Sequence, residues 1–408
     1  MKCRHCDKEL TQTFIDLGSS PPSNSYLTEE SIKAPEKWYP LKVMVCGQCW
    51  LTQTEDFVGE DEMFSEDYAY FSSYSSSWLE HAKEYVEKMK LRFNLTEQST
   101  VVEVAANDGY LLQYVQQNSI PCYGIEPTHS TAVAARGKGI EIIEEFFGER
   151  VAKELAGQKR QADLTIANNV LAHVPDINDF VKGFSHLLKS SGIATFEFPH
   201  LLNLVQQNQF DTIYHEHYSY LSLTAVQLIF KVNGLTVFDV EELSTHGGSL
   251  RIYAQRSDTG KHTVSNTVQK MKEREIKAGM GMIEFYQGFQ LKAEKVKNDF
   301  LDFLLKAKKE RKTVAAYGAA AKGNTIMNFS GVRPDLISYV VDRNPAKQGK
   351  YMPGSRIPIV NESVLFKKKP DYVVILPWNL KNEVSLQLDI VRTWGGNFVV
   401  AIPNLEFI

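Results

Sequence analysis

The stretch VVEVAANDGY, residues 101–110, decides the fold. Its first four residues predict a buried strand, and the turn after them opens a helix. About twenty residues later YGIE, residues 123–126, predicts a second strand ending in a carboxylate, which in a Rossmann-like sheet holds a ribose. The turn lacks the three glycines of the dinucleotide fingerprint. The Glu103 carboxylate would repel a pyrophosphate but suits the cationic methionine part of S-adenosylmethionine, so we expect a methyltransferase of the Rossmann-like class I type.

The bulk composition limits the fold and the class of substrate. A chain of 408 residues, 43% hydrophobic and 23% charged, is too long for one core and predicts two large domains with a smaller module. Its formal charge of -4, without a long basic run, argues against nucleic acid and favours a compact substrate. The chain has no apolar N-terminal signal and no run of about eighteen apolar residues. We therefore expect a cytoplasmic protein without a membrane partner. Our separate expectation for its oligomeric state is a monomer.

Two pairs of cysteines near the N-terminus predict a metal site. Cys3 and Cys6 form one CxxC pair, and Cys46 and Cys49 form the other. Four thiolates can close around structural Zn²⁺ and fold a segment too small to stabilise itself by core burial. The alternative is two redox pairs or free thiols, although the first pair lies outside any βα unit. We expect His5, between two ligands, to be exposed or to support a ligand.

An aromatic segment follows this module. Residues 66–78, EDYAYFSSYSSSW, are dense in aromatic rings and hydroxyls without helical or strand periodicity. The segment can line a site, where a tyrosine hydroxyl would serve a sugar carbonyl, or it can pack the module onto the next domain.

Residues 78–256 alternate predicted helices and strands, the pattern of a doubly wound α/β domain. Ligands bind at the carboxyl ends of the strands in such sheets, and Asn168 and Asn169 follow a third strand. The candidate residues for binding the cofactor are Glu103, Asn107, Asp108, Gly109, Glu126, Asn168 and Asn169.

The cluster YHEHY, residues 214–218, is not explained by a cofactor site. Two histidines flanking a carboxylate suit acid–base chemistry. A catalytic metal would need a third ligand, and a hydrogen-bonded structural cluster is a further alternative. His173 follows the strand end bearing Asn169 and should fall near the methyl group of the cofactor, unless it caps a helix or lies in the core.

Residues 313–325, TVAAYGAAAKGNT, begin a second βα unit, and Asp342 ends its next strand. The turn is not a GxGxxG match, so NAD is disfavoured. A nucleotide-sugar diphosphate met by backbone N–H groups and Lys322 fits better, with pure scaffolding as the alternative. His246 precedes a glycine pair that permits close approach to a ligand or an ordinary turn. Trp378 and Asn379, after a later strand, are candidates for the same cleft.

These patterns divide the chain into four predicted parts. They are a zinc-binding domain with the aromatic loop at 1–77, a methyltransferase domain at 78–262, a helical connector at 263–309 and a Rossmann-like domain at 310–408.

The sequence resembles the S-adenosylmethionine-dependent nucleotide-sugar C-methyltransferases of deoxysugar and polysaccharide pathways over nearly its whole length. The resemblance implies methylation at C3 of a dTDP- or GDP-linked 4-keto-6-deoxy sugar. It implies catalytic roles for Tyr214, Glu216, His217, His173 and Tyr68, and zinc ligation by the four cysteines. Tyr70, His246, Lys322 and Asn324 are the candidate substrate-binding residues. The motifs that carry the resemblance are the CxxC pairs, DYAYFSSYS, VVEVAANDGYLL, YGIEPT, NNVLAHVPD, TIYHEHYSYLS, HGGSLR, AAYGAAAKGNT and VVDRNPAKQGKYMPG.

C-methylation needs a carbon nucleophile, and a ketone beside C3 makes the C3 proton removable through an enolate. Our hypothesis is that His217 takes this proton and Glu216 orients His217 or a substrate hydroxyl. Tyr214, Tyr68 or His173 would bind the oxyanion, and His173 is the alternative base. The rival functions are O- or N-methylation of another small molecule or RNA, and an NAD-dependent or non-catalytic protein.

Overall fold

Three β-sheets organise the chain in the computed structural model, which describes residues 1–55 and 71–408. The first sheet is antiparallel and has the strand order β1-β2-β3-β9. The four cysteines lie beside it, because Cys46 and Cys49 occupy the turn that joins β2 to β3. Its strands are β1 (Gln12–Ser20), β2 (Tyr39–Val45), β3 (Thr52–Thr54) and β9 (Ser219–Tyr220).

The second sheet has seven strands in the order β10-β11-β8-β7-β4-β5-β6. The strands β8, β7, β4, β5 and β6 are parallel to one another. The strand β11 is antiparallel to β8, and β10 is antiparallel to β11. The short run VVEV is buried at every position, as a central parallel strand requires. The strands are β4 (Val101–Val104), β5 (Cys122–Ile125), β6 (Glu141–Ile143), β7 (Ala162–Asn168), β8 (Leu188–Pro199), β10 (Leu235–Leu243) and β11 (Ser249–Arg256).

Helices accompany this sheet along residues 76–232. The first begins where the Ser75 side chain accepts a hydrogen bond from the Trp78 backbone N–H, and it ends at Asn94 in the left-handed conformation. The helices are α1 (Ser76–Phe93), α2 (Leu112–Gln117), α3 (His129–Gly137), α4 (Glu149–Gly157), α5 (Ile177–Leu187), α6 (Leu201–Gln206) and α7 (Leu223–Val232).

The third sheet belongs to the C-terminal part and has the order β14-β13-β12-β15-β16-β17, with β17 antiparallel. Two helices, α8 (Asn266–Ala278) and α9 (Phe289–Lys309), precede it. Its strands are β12 (Val314–Tyr317), β13 (Val340–Val341), β14 (Ile359–Val360), β15 (Tyr372–Ile375), β16 (Asn397–Val400) and β17 (Glu406–Phe407), and its helices are α10 (Ala321–Phe329), α11 (Glu362–Lys368) and α12 (Lys381–Gln387).

Hydrophobic packing joins the first and third sheets into one core. Phe14 on β1 stacks on Phe289 of α9 with the ring centroids 4.7 Å apart, and α9 continues into the core of the C-terminal sheet. The order of strands in the three sheets confirms the predicted class of fold, an α/β chain with a Rossmann-like central domain. In residues 1–55 and 71–408, the structure contains no helix that is both long and apolar enough to cross a membrane.

The sequence did not indicate the sheet to which β9 belongs. This strand lies within the predicted methyltransferase domain, yet it pairs with β3 of the N-terminal sheet. The predicted domain boundaries remain a prediction, and the first two predicted domains share a sheet.

Candidate active site

The four N-terminal cysteines converge as a metal site requires. Their ligand atoms all lie within 4.8 Å of one another. Cys3 Sγ lies 3.5 Å from Cys49 Sγ, and Cys6 Sγ lies 3.6 Å from the Cys46 sulfur. Four thiolates at the usual Zn–S distance occupy a tetrahedron with edges of about 3.8 Å, so the donor set fits Zn²⁺. His5 is not part of the cluster. Its Nδ1 instead forms a 2.8 Å hydrogen bond with the Asn178 amide oxygen.

The turn after β4 joins the predicted cofactor edge to the end of the aromatic segment. The Glu126 carboxylate accepts hydrogen bonds of 2.9 Å from the backbone N–H groups of Asn107 and Thr128. The Asn107 side-chain oxygen in turn accepts a bond from the Ser72 backbone. Tyr68 and Tyr70 lie outside the described residues. Of the aromatic segment, residues 71–78 are described.

Buried polar atoms without partners collect at the carboxyl ends of the strands. Within the described residues, these atoms are Oε2 of Glu103, Oδ1 of Asp108 and both amide atoms of Asn168 and Asn169. Buried polar groups normally have hydrogen-bond partners. This edge of the sheet therefore fits a polar ligand that has both donors and acceptors, and S-adenosylmethionine is such a ligand.

The structure shows two features that the sequence did not specify, the burial of Glu103 within a strand and the close packing around Gly109. Glu103 lies inside β4 and is only 1% exposed. Burial raises its pKa well above the usual range, while a hydrogen bond with Tyr110 opposes the shift. Gly109 has φ +73°, and a Cβ there would lie 2.4 Å from the Ile140 side chain. Its glycine is therefore required for packing within the turn.

His217 is held in one orientation by two hydrogen bonds. Its Nδ1 lies 2.7 Å from the Thr212 carbonyl oxygen, and its Nε2 lies 2.8 Å from the Tyr214 hydroxyl. A carbonyl can only accept, so Nδ1 carries the proton and Nε2 presents a lone pair to the Tyr214 hydroxyl. His173 packs edge-on against His217 with their ring centroids 4.6 Å apart.

Both histidines are neutral at neutral pH. Burial, followed by the nearby His173, lowers the pKa of His217 well below its usual range. Burial lowers the pKa of His173 to about 4, and a hydrogen bond to the Glu216 backbone opposes this shift. His173 Nδ1 is buried without a partner among the described residues. The pair therefore offers unprotonated ring nitrogens in a desolvated setting.

Glu216 is hydrogen-bonded to Asn24, a partner that the sequence did not indicate. The Asn24 amide donates to both carboxylate oxygens of Glu216, at 2.8 and 2.7 Å. Burial raises the pKa of Glu216 to about 7, and the Asn24 hydrogen bonds oppose the rise. His217 is oriented by Thr212 and Tyr214, and the structure gives no hydrogen bond between Glu216 and the His217 ring in the described chain. Asn24 itself lies in the polar run PPSNSY, which carries no signal that singles it out.

Lys322 approaches the same region from the C-terminal part. Its ammonium lies 4.9 Å from the centroid of the Trp378 ring and 3.2 Å from the Asn379 amide oxygen. The Trp378 indole N–H donates to the buried Asp211 carboxylate at 2.8 Å. Burial lowers the pKa of Lys322, and the negative charge of Asp211 opposes this. Sequence analysis missed Asp211, although it precedes the residue that orients His217.

His246 and Asn324 have different surroundings. Burial, followed by the charge of Lys322, lowers the pKa of His246 to about 4, and its ring lies 5.3 Å from that of Trp78. Asn324 is fully buried, and its amide donates to the Ser23 carbonyl at 2.6 Å. Asn324 therefore tethers the N-terminal segment to α10, a contact that its place in the sequence did not indicate.

The backbone of the GAAAKG turn is already engaged. The Ala319 N–H donates to Asp342 at 2.7 Å, and the Ala319 carbonyl accepts from Tyr26 and from Lys347. Lys322 is the cationic residue of this turn, and its charge lowers the pKa of His217 and His246.

Family models match most of the chain. The model described as "Putative zinc binding domain" matches residues 3–64, the one described as "Methyltransferase domain" matches 78–240, and the one described as "C-methyltransferase C-terminal domain" matches 244–403. The C-methyltransferase NovU of Streptomyces niveus is 33% identical over 403 residues, which cover 99% of this chain and 96% of NovU.

Solved structures resemble parts of the chain at low identity. Magnesium protoporphyrin IX methyltransferase from Synechocystis with bound SAM is 16% identical, with a TM-score of 0.34, over 44% of this chain and 79% of that one. The PH0226 protein from Pyrococcus horikoshii is 15% identical, with a TM-score of 0.39, over 46% of this chain and 95% of that one.

Proposed function

The chain belongs to the family of S-adenosylmethionine-dependent C-methyltransferases, and on this premise we propose that it methylates C3 of a nucleotide-diphospho-4-keto-6-deoxy sugar. The supporting observation is the arrangement of His217. Its imidazole is neutral and oriented, its Nε2 lone pair faces a phenol, and it packs against His173 beyond the strand that bears the two asparagines. An oriented and unprotonated imidazole can act as the base that removes a proton from carbon beside a ketone.

His217 Nε2 takes the C3 proton, and the C–H bonding electrons move towards the C4 oxygen to form an enolate. The developing charge on that oxygen needs a donor. Tyr214 OH can supply it by leaving Nε2 as Nε2 becomes protonated. His173 is the alternative base, because its one N–H is used by the Glu216 backbone and its Nδ1 offers a lone pair. C3 then has the electron pair that forms the new carbon–carbon bond.

S-adenosylmethionine would supply the electrophilic methyl group, and the electron pair of the broken S–CH₃ bond would stay with its sulfur, which leaves as a neutral thioether. The residues that would hold it are Glu126, Asp108 and the pair Asn168 and Asn169, because their backbone or side-chain polar atoms meet at the carboxyl edge of the sheet. Glu216 is hydrogen-bonded to Asn24, and it would contact a sugar hydroxyl of the substrate.

The nucleotide diphosphate requires a cation. Lys322 is the proposed partner, because it is half-buried and its charge lowers the pKa of both His246 and His217. A dianionic diphosphate would offset the cost of burying this charge. The nucleotide, dTDP or GDP, is left to experiment.

The test is His217→Asn in the full chain. Asparagine can still donate to the Thr212 carbonyl but has no basic nitrogen. Wild-type enzyme in D₂O should incorporate deuterium at C3 of a keto sugar, observed by NMR, and with S-adenosylmethionine it should add one methyl group to that carbon. His217→Asn should lose both reactions while melting within a few degrees of the wild type.

His215→Gln is the matched control. His215 Nε2 contacts the Pro40 carbonyl at 3.1 Å, and glutamine can keep that hydrogen bond, so turnover should be retained. Full C3 exchange in His217→Asn would remove the assignment of the base. Methyl transfer to an oxygen or nitrogen of the substrate, without C3 exchange in the wild type, would replace the proposal with the O- or N-methyltransferase alternative.

A further inference from the structure

The segment that carries His217 is held by the sheet of the cysteine domain. His217 lies in a turn outside any helix or strand, and β9 begins two residues later. Gln53 pairs with Ser219 in the antiparallel β3–β9 ladder. The Thr54 N–H also donates to the Tyr218 carbonyl at 3.1 Å. The backbone after His217 is therefore ordered by β3, a strand 163 residues away in sequence.

Thr54 reaches His217 directly. Its hydroxyl donates to the His217 backbone carbonyl at 3.1 Å. The Thr54 carbonyl accepts a 2.8 Å hydrogen bond from the Arg4 guanidinium, which also lies over the Tyr218 ring at 4.9 Å. Three groups of Thr54 thus join His217, Tyr218 just before β9, and Arg4 of the first cysteine pair.

Gln53 connects this strand to the cysteine cluster. It is fully buried, its Oε1 accepts from the Arg4 backbone at 2.9 Å, and its Nε2 donates to Cys3 Sγ at 3.3 Å. The Gln53 side chain therefore contacts Cys3, a candidate metal ligand, while the Gln53 backbone pairs with β9. A hydrogen bond to a thiolate sulfur is an outer-shell contact that orients a ligand.

We propose that Gln53 and Thr54 are positioning residues that couple the four-cysteine site to the backbone of His217. The coupling follows from a continuous series of contacts: Cys3 to Gln53, Gln53 and Thr54 to β9 and its preceding turn, and Thr54 to His217. The catalytic part of this inference rests on the proposed function, because it assumes that His217 is the base. The N-terminal domain would then set the position of the base as well as bind its own metal.

The first experiment requires no substrate. Hydrogen–deuterium exchange by mass spectrometry compares full-length zinc-loaded wild type with Gln53→Leu, Thr54→Val and Thr52→Val. Thr52 is the matched control, because it is buried on the same strand and its hydroxyl has no partner among the described residues. Peptides covering 214–221 should exchange at least about tenfold faster in the first two variants, while those covering 193–198 stay unchanged. Unchanged exchange of 214–221 in both variants would overturn the coupling.

The second experiment measures deuterium incorporation at C3 of the substrate. Thr54→Val should lower kcat about tenfold with KM within about twofold, because a displaced base affects the chemical step more than binding. Thr54→Ser restores the hydroxyl and should recover the rate, and Thr52→Val should match the wild type. Equal kcat in Thr54→Val and Thr52→Val would show that the contact does not position the base. If wild type exchanges no C3 proton, the proposed function fails while hydrogen exchange still decides the coupling.

Discussion

Replacing Glu216 with glutamine should stabilise the protein at neutral and alkaline pH while impairing the proposed activity. Glu216 is 2% exposed, and burial raises its pKa from 4.5 to about 7. At about 1.4 kcal/mol for each tenfold change in proton affinity, the ionised side chain opposes folding by about 3 kcal/mol above pH 7.

The sign of the pH dependence follows from the raised pKa. The folded protein binds this proton more tightly than the unfolded chain, so the stability associated with it is fully present below pH 4.5 and is lost as the pH rises to about 7. Glutamine is neutral throughout and its oxygen can still accept from Asn24. The free energy of unfolding of Glu216→Gln minus that of wild type should therefore grow between pH 4.5 and 8.

Urea unfolding and thermal melting at pH 5 and pH 8 measure this difference. At about 2 °C per kcal/mol for a large cooperative unit, the melting temperature of Glu216→Gln should exceed that of wild type by about 6 °C at pH 8. Glu144→Gln is the control of opposite sign. Hydrogen bonds from Arg136 and His129 lower the pKa of Glu144, so that variant should gain nothing at pH 8.

A difference between Glu216→Gln and wild type that is the same at pH 5 and pH 8 would refute the reasoning, because it would mean that Glu216 titrates as it does in the unfolded chain. A larger stability combined with slower methyl transfer would mark Glu216 as a carboxylate kept at a cost in stability. Retained activity in the stabilised variant would limit Glu216 to a structural role with Asn24.

Three further predictions concern separate parts of the molecule. Tyr214→Phe removes the hydroxyl beside His217 Nε2 and should slow C3 deuterium exchange about tenfold or more without a comparable change in KM, as measured by NMR. Cys49→Ser should reduce bound zinc from about one equivalent to near zero by atomic emission, while S-adenosylmethionine affinity by calorimetry stays within about twofold. Gly247→Ala should cost at least about 2 kcal/mol in urea unfolding, because Gly247 has φ +86° and an added Cβ would lie 2.4 Å from the Trp378 ring.

Much of the central sheet could be predicted because its signals are local. Runs such as VVEV at 101–104 and the turn after them depend on neighbouring residues, and the structure places strands at Val101–Val104 and Cys122–Ile125 as expected. The four cysteines were recognisable for a similar reason, since few residue types bind zinc and their spacing is restricted.

Contacts between distant segments could not be predicted in this way. The β9 strand has only two residues, too few for a periodic pattern, and its partner β3 is far away in sequence. The Asn24–Glu216 hydrogen bonds span 192 residues. An asparagine in a polar run is ordinary by composition, so only the tertiary fold distinguishes it. The same holds for Asn324, whose buried tether to Ser23 depends on the packing of the first and third sheets.

The catalytic roles proposed from the sequence and the positioning roles proposed from the structure differ in their chemistry. Proton transfer restricts the choice of residue, so His217, His173 and Glu216 stood out by type alone. Positioning needs only a donor or acceptor at the right distance, which Gln53 and Thr54 provide with common side chains. A site built between three sheets depends heavily on such contacts, because no single sheet fixes its geometry. We therefore expect substitutions at the sheet junctions to alter kcat even where they touch neither substrate nor cofactor.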